Sequence, residues 1–306
     1  MLEAALFTLI LIINNGGGDG KTSWSEALSA LARLAGLRTA VLDIDPGLRG
    51  YSRRNGDEAA ERVDWNGEFE NGRDLPGWLD EAMAQDIALV DTGANLLAAD
   101  KEVSARLSEI ALHVQELGGR LIIHAVTSPN KPGSDEIVKE LHDKFAASME
   151  FVVIKNRRDG SNLFGKEIDK LLVPKVEVPY IAPGLQAYRL LQRTPLEVLI
   201  ENPKPGYKKA SALLANHLRE IARNEHVRSL IADRADAHLA ELASTVDRFQ
   251  RTSAMTLTAV SDESIAADEA WSDAYRAFRN CEPGDTETFL KAALRYHEQI
   301  KVPRAA

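Results

Sequence analysis

At 306 residues and a net charge of −9, the chain is long enough to bury a full core and too acidic to bind nucleic acid over its whole surface. Hydrophobic residues make up 44% and charged residues 27%, the balance of a globular protein and not of a disordered or membrane-embedded one. A single cysteine, Cys281, excludes an internal disulfide and points to a reducing, cytoplasmic setting, and the seven histidines show no metal-ligand spacing.

Leu6 to Ile13 is an apolar run without a basic flank and too short to span a bilayer, so it reads as a first buried strand. Asn14-Asn15-Gly16-Gly17-Gly18-Asp19-Gly20-Lys21-Thr22-Ser23 follows it directly. A helix is expected over Ser25–Leu34, ended by Gly36, and a strand over Thr39–Leu42 that runs into Asp43-Ile44-Asp45-Pro46-Gly47. From Tyr51 to Asp74 the pattern is polar and irregular, which suggests a surface excursion around Trp65. The spacing then predicts helix over Leu75–Met83, strand over Ile87–Asp91, helix over Val103–Leu117 and strand over Arg120–Val126. A Ser-Pro-Asn-Lys-Pro-Gly loop leads to helix Ser134–Phe145, strand Phe151–Ile154, helix Leu163–Leu171 and strand Val176–Val178. Pro179 and Pro183 bracket a loop, and Tyr207 to about Ile231 reads as one long helix. Alternation of this kind is the pattern of an α/β fold, a mostly parallel sheet flanked by helices. The remainder reads as helices alone, so the expected division is a nucleotide domain at 1–230 and an all-helical C-terminal extension at 231–306.

The glycine-rich stretch has a specific physical reading. Gly16, Gly17, Gly18 and Gly20 let the backbone curl so that its N–H groups point inward, an anion nest feeding a helix N-terminus. Lys21 can then neutralise β- and γ-phosphate charge, and the Thr22 hydroxyl can ligate Mg²⁺. The P-loop pattern G-x-x-x-x-G-K-[ST] is met except at its first position, occupied by Asn15, a residue that tolerates left-handed backbone angles. Asp91 ends an apolar strand, where an acid can hold Mg²⁺ through water. Asp43 and Asp45 bracket the end of the second strand, Asp43 placed to support the metal shell and Asp45 to orient an attacking water. A turn-forming Asp-Pro would look the same.

These residues carry a family resemblance. Gly16-Gly17-Gly18-Asp19-Gly20-Lys21-Thr22 resembles the deviant Walker A box of the ParA/MinD ATPases, K-G-G-x-G-K-[ST]. Val41 to Pro46 resembles the family's second-strand D-x-D-P motif, Ile87 to Thr92 its Walker B, and Lys155 to Gly160 with Val176 to Pro179 its two adenine-side loops. The resemblance implies an ATP-dependent homodimer that works as a switch, commonly in DNA partition or cargo positioning, with ATP or ADP and Mg²⁺ as cofactors. It assigns phosphate to the loop from Asn15 to Ser23, Mg²⁺ to Thr22, Asp43 and Asp91, catalysis to Lys21 and Asp45, and adenine to Asn156 and the backbone near Pro179. One departure stands out. The family's signature lysine falls on Gly16, so hydrolysis is expected to be weakened more than binding, because a trans-acting cation is worth ~10³ to 10⁵ in rate in related systems.

Lys204 to Arg234 holds seven Lys or Arg against three Asp or Glu, a candidate surface for nonspecific DNA. Residues 235–306 hold twelve acidic against eight basic side chains, which disfavours anionic membrane and suits an unidentified protein partner for the extension. Three functions therefore compete: a partition or positioning ATPase, a nucleotide-gated adaptor without useful turnover, and an ATP-dependent ligase or kinase.

Overall fold

The structure is a computed structural model and describes residues 7–14, 16–44, 50–56, 58–62, 75–93, 103–129, 131–204, 207–231 and 239. Asn15, Asp45 to Gly47, Trp65, and the extension from 232 onward apart from Leu239 lie outside the described residues. Strand β1 (Thr8–Ile13) is buried along its whole length, as an unbroken apolar run requires of an interior parallel strand. Strands β2 (Thr39–Ile44), β3 (Glu61–Arg62), β4 (Ile87–Thr92), β5 (Arg120–Thr127), β6 (Glu150–Asn156) and β7 (Lys175–Val178) complete a seven-stranded sheet in the order β3-β2-β4-β1-β5-β6-β7. Every pairing is parallel.

Two-residue periodicity splits the core into two layers. Ile10 and Ile12 face one layer with Trp24, Leu28 and Leu31 of helix α1 (Lys21–Leu34). Leu9, Leu11 and Ile13 face the other, with Trp78 of α3 (Leu75–Ala82), Leu107 of α4 (Val103–Glu116) and Val138 of α5 (Ser134–Phe145). Each such fully buried side chain contributes about 1.5 to 3 kcal/mol. Helix α1 ends where Gly36 takes a φ of 76° and Leu37 N donates to Ala32 O at 3.0 Å, a left-handed cap.

Four segments differ from the sequence reading. The stretch after residue 50 is not merely a surface excursion: it opens with helix α2 (Gly50–Asn55), whose Tyr51 and Ser52 are buried, and supplies edge strand β3. Polar composition hid this because Ser52 is there to hold Asp43. The helix expected over 163–171 shortens to α6 (Lys166–Lys170), since Gly165 is extended and its N–H donates to Asp135. The region after Pro183 is helical, as α7 (Pro183–Gln192) and α8 (Leu196–Glu201), with Pro183 starting the first as proline is suited to do. The long C-terminal helix is two, α9 (Lys208–Ala222) and α10 (Glu225–Ile231). Asn224 breaks it by donating to Lys175 O at 2.8 Å while its Oδ1 accepts from His226 N at 3.0 Å. Leu239 is buried in the same core as α10. No helix among the described residues is long and apolar enough to cross a membrane.

A chain of rings ties α1 to α10 through the sheet. Trp24 Nε1 donates to His124 Nδ1 at 2.9 Å, and His124 Nε2 lies 2.9 Å from His226 Nε2. Indole can only donate, so the neutral His124 carries its proton on Nε2 and gives it to His226. Burial holds His124 well below the ordinary imidazole range, helped by His226, and burial then Arg120 bring His226 down to about 4. Burial then Arg189 bring His217 down to about 3. Histidines with depressed folded pKa values stabilise above the unfolded value, and that contribution is lost as pH falls through the folded one. Unfolding free energy, measured by urea titration, is therefore expected to fall between about pH 6.5 and 4. His226→Gln, which keeps an acceptor for His124, is expected to remove about 1 to 3 kcal/mol of that fall; identical pH slopes for variant and parent would count against the assignment.

Candidate functional site

All the candidate residues within the described chain meet at the carboxyl edge of the sheet, because parallel strands deliver every β-to-α loop there. The loop begins where Asn14 turns on itself: its Oδ1 accepts from Gly16 N at 2.7 Å and its Nδ2 donates to Val126 O at 2.6 Å, fixing the exit of β1 to β5. Gly18 and Gly20 have φ values of 79° and 94°, a region that side chains with a Cβ resist. A Cβ on Gly20 would also run into the side chain of Asn156.

The loop's carbonyls rest on protein donors, one after another. Lys21 Nζ donates to Gly16 O at 2.8 Å, Lys131 Nζ to Gly17 O, and an Arg158 guanidinium N–H to Gly18 O. Asp19 O accepts from Ser128 Oγ at 2.8 Å and from Asn156 Nδ2 at 2.9 Å. These donors fix the loop's carbonyls, and Gly16 N is itself held by Asn14 Oδ1, so the backbone of the loop is set by contacts with its surroundings. Helix α1 starts directly from this loop without a side-chain cap and without an acidic residue in its first turn. The first turn of a helix leaves N–H groups without intrahelical acceptors and carries the positive end of the dipole, so this start suits an anion supplied from outside the chain.

The carboxylates lie behind the loop. Asp43 and Asp91 are register neighbours on β2 and β4, both buried. Ser52 holds Asp43 Oδ2 through its N–H at 2.9 Å and its hydroxyl at 3.1 Å. Ser25, one turn into α1 beyond Lys21, donates to Asp91 Oδ1 at 2.8 Å, while Asp91 Oδ2 has no hydrogen-bond partner among the described residues. Burial first, and the Asp43 charge second, push Asp91 up to about 7, against the opposing pull of the Ser25 and Thr22 hydroxyls and the Lys21 charge. An unsatisfied buried carboxylate oxygen is unfavourable unless a cation or donor comes to it. Thr22, beneath Gly50 of α2, completes a set of one hydroxyl and two carboxylates, which fits Mg²⁺ because that ion keeps several waters and takes few protein ligands. Among the described residues no group of three or more His, Cys, Asp or Glu offers an alternative metal site. Thr22, Asp91 and Asp43 would hold Mg²⁺, which supplies charge against phosphate oxygens when bound.

A family model described as the CobQ/CobB/MinD/ParA nucleotide binding domain matches residues 10–267. The chain belongs to that family. No curated protein matches it. Among solved structures, the chain is similar to the MinC:MinD cell division protein complex of Aquifex aeolicus at 18% identity, covering 69% of this chain and 94% of that one with a TM-score of 0.43. The septum site-determining protein MinD complexed with Mg-ADP from Pyrococcus horikoshii OT3 is also 18% identical, over 80% of this chain and 97% of that one, with a TM-score of 0.41. The signal recognition particle receptor FtsY of Elizabethkingia anophelis in complex with GDP is 15% identical over 57% of each chain, at a TM-score of 0.41.

In this CobQ/CobB/MinD/ParA domain the sequence-predicted residues Gly16 to Ser23, Asp43, Asp91, Asn156 and Pro179 are brought to one edge, and Asn15 and Asp45 lie outside the described residues. Asn156 and Val178, the residue before Pro179, are register neighbours at the ends of β6 and β7. The Asn156 amide grips the loop itself, and the Ser23 hydroxyl accepts from Arg54 at 3.1 Å. Ser25, Ser52, Ser128, Lys131, Ser134 and Arg158 were not foreseen. Only Ser25 carried a signal, four residues past Lys21 on the same helix face.

Asp91→Asn replaces a buried anion by a neutral isostere. A carboxyl raised from its ordinary value stabilises the fold below that value and loses the contribution as pH rises through about 7. The variant is accordingly expected to stabilise the nucleotide-free protein by about 1 to 3 kcal/mol at pH 8 and by little at pH 4. Urea unfolding at the two pH values checks this; a variant less stable than the parent at pH 8 contradicts it.

Proposed function

We propose that this nucleotide-binding domain is an ATP-dependent molecular switch of the ParA/MinD kind, closing as a dimer around ATP to partition DNA, serve conjugative transfer or position cargo. One observation carries the reading: the unpartnered oxygen of Asp91, held beside Asp43 behind a glycine loop that opens a helix bearing Lys21 and Thr22. A loop built only for a structural turn has no use for a buried carboxylate aimed behind it. On binding, Lys21 exchanges the Gly16 carbonyl for β- and γ-phosphate oxygens, Asn156 and the backbone near Pro179 border the adenine, and Asp45 orients water. Residues 231–306 form the extension through which a protein partner is recruited.

Gly16 makes turnover slow, because no lysine leaves this position toward a second subunit. A nucleotide-gated adaptor is the limit of the same reading, in which turnover is too slow to matter. Lys21→Ala is expected to weaken Mg-ATP binding by at least about tenfold in calorimetry, the worth of a charge-assisted contact. Steady-state hydrolysis is expected to be slow in the parent and faster in Gly16→Lys combined with Lys131→Ala, in which the new ammonium replaces the one that fills the space at residue 16; equal and robust rates in both would overturn the slow-switch reading.

The exposed Lys204, Lys208, Lys209, Arg223 and Arg228 supply the charge for a nonspecific DNA contact along α9 and α10. Such a contact is salt-sensitive. A gel-shift series with ATP is expected to show retention at low salt that disappears at moderate salt, and no retention under any condition rejects the contact.

A further inference from the structure

Asp19 stands at the free position of the glycine loop, where a carboxylate works against the loop's chemistry. It is fully buried in the glycine loop that the nucleotide-binding reading assigns to phosphate, and a negative charge there repels phosphate. Two groups hold it: Ser134 Oγ at the start of α5 donates to Oδ1 at 2.8 Å, and Lys131 Nζ pairs with Oδ2 at 2.6 Å. The same ammonium donates to Gly17 O. Lys131 comes from the loop between β5 and α5, in the neighbouring crossover, and its side chain is 26% exposed, so it reaches inward from the surface.

Gly16 belongs to the same arrangement. A Cβ at residue 16 would collide with the Asp19 carboxylate and stand 2.7 Å from Lys131 Nζ. The space in which any side chain at position 16 would begin is therefore filled by the ion pair. Glycine, aspartate and lysine at 16, 19 and 131 are three parts of one device.

We propose that Lys131 is a positioning residue for phosphate binding: it neutralises Asp19 and pegs the Gly17 carbonyl outward, so that the loop presents its amides and Lys21 to the nucleotide without an opposing charge. The positive charge that the loop lacks at residue 16 thus arrives from within the same subunit. Because the ammonium lies at the root of the side chain absent from position 16, it cannot extend to a second subunit. It supports binding in cis and leaves turnover slow. The inference rests on the nucleotide-binding reading above.

The test is calorimetric titration of the full chain with Mg-ADP, comparing the parent with Lys131→Gln, Asp19→Asn and the double variant. Glutamine keeps an N–H donor, one methylene nearer the backbone, and removes the charge. Lys131→Gln is expected to bind at least about tenfold more weakly, because Asp19 is left as an uncompensated anion, and Asp19→Asn in the same chain is expected to restore affinity to within about threefold of the parent. A purely structural role would not be rescued by removing the carboxylate. Affinity within about twofold for Lys131→Gln overturns the proposal. A double variant as weak as Lys131→Gln also overturns it, and would place the lysine on the phosphates themselves. Urea unfolding of each variant separates folding from binding, and the double variant, which leaves no charge unpaired, keeps the comparison interpretable if the single one is unstable. Failure of the parent to bind Mg-ADP would instead remove the nucleotide reading.

Discussion

The glycine loop before α1 holds a fully buried aspartate, and the arrangement around the sheet's carboxyl edge follows from how that charge is accommodated. Asp19 needs a cation and a hydroxyl, and neither is local in sequence: Lys131 and Ser134 lie more than a hundred residues away. They are brought in because β5 pairs directly with β1 over six residues, from Thr8 opposite Arg120 to Ile13 opposite Ala125. The register of two apolar strands therefore decides whether Asp19 meets its cation. Breaking such a buried pair from one side is expensive because the remaining charge is stranded, whereas the intact pair needs only good geometry.

The same logic recurs on the other side of β1. Asp91 pairs in register with Ile12 on β1 and with Asp43 on β2, so two carboxylates face one another in the interior. Ser52 satisfies Asp43 and Ser25 half-satisfies Asp91. Among the described residues the unmet oxygen therefore lies on Asp91 and not on Asp43. An unmet buried carboxylate oxygen calls for a donor, a water or a cation, and on the proposed reading Mg²⁺ is that partner.

Much of this was legible beforehand for a physical reason. Long apolar runs and glycine clusters are local signals, and β1, β2, β4, β5 and β6 together with helices α1 and α5 were placed from them within a few residues. The phosphate loop was legible because its chemistry is contained in ten consecutive residues. What escaped were contacts made by polar residues with no periodicity of their own. Ser52 sits in a stretch whose polarity suggested surface, and its burial is visible only once Asp43 is known to need it. Lys131 stood in a Ser-Pro-Asn-Lys-Pro-Gly loop that composition marks only as a turn. Asn224 ended a helix because it bonds Lys175 O on β7, a contact no spacing along the helix predicts.

Helix α1 joins these parts, and its own buried charges explain why it can serve as a fixed reference for the loop. Glu26, on the face away from the sheet's carboxylates, pairs with Arg54 of α2 at 3.2 Å and with buried Arg189 of α7. Arg33 near the C-terminal end pairs with Glu197 of α8 at 2.7 Å, and Trp24 reaches through His124 to His226 of α10. Contacts of this kind on successive turns leave the helix little freedom to rotate or slide, since any movement strands a charge or an indole N–H in the interior. At its N-terminus Lys21 rests on Gly16 O, and Arg158 and Lys131 reach in from the rim to Gly18 O and Gly17 O. On the proposed reading, adjustment to an anion falls to Lys21, which exchanges the Gly16 carbonyl for phosphate oxygen while Lys131 stays on Asp19.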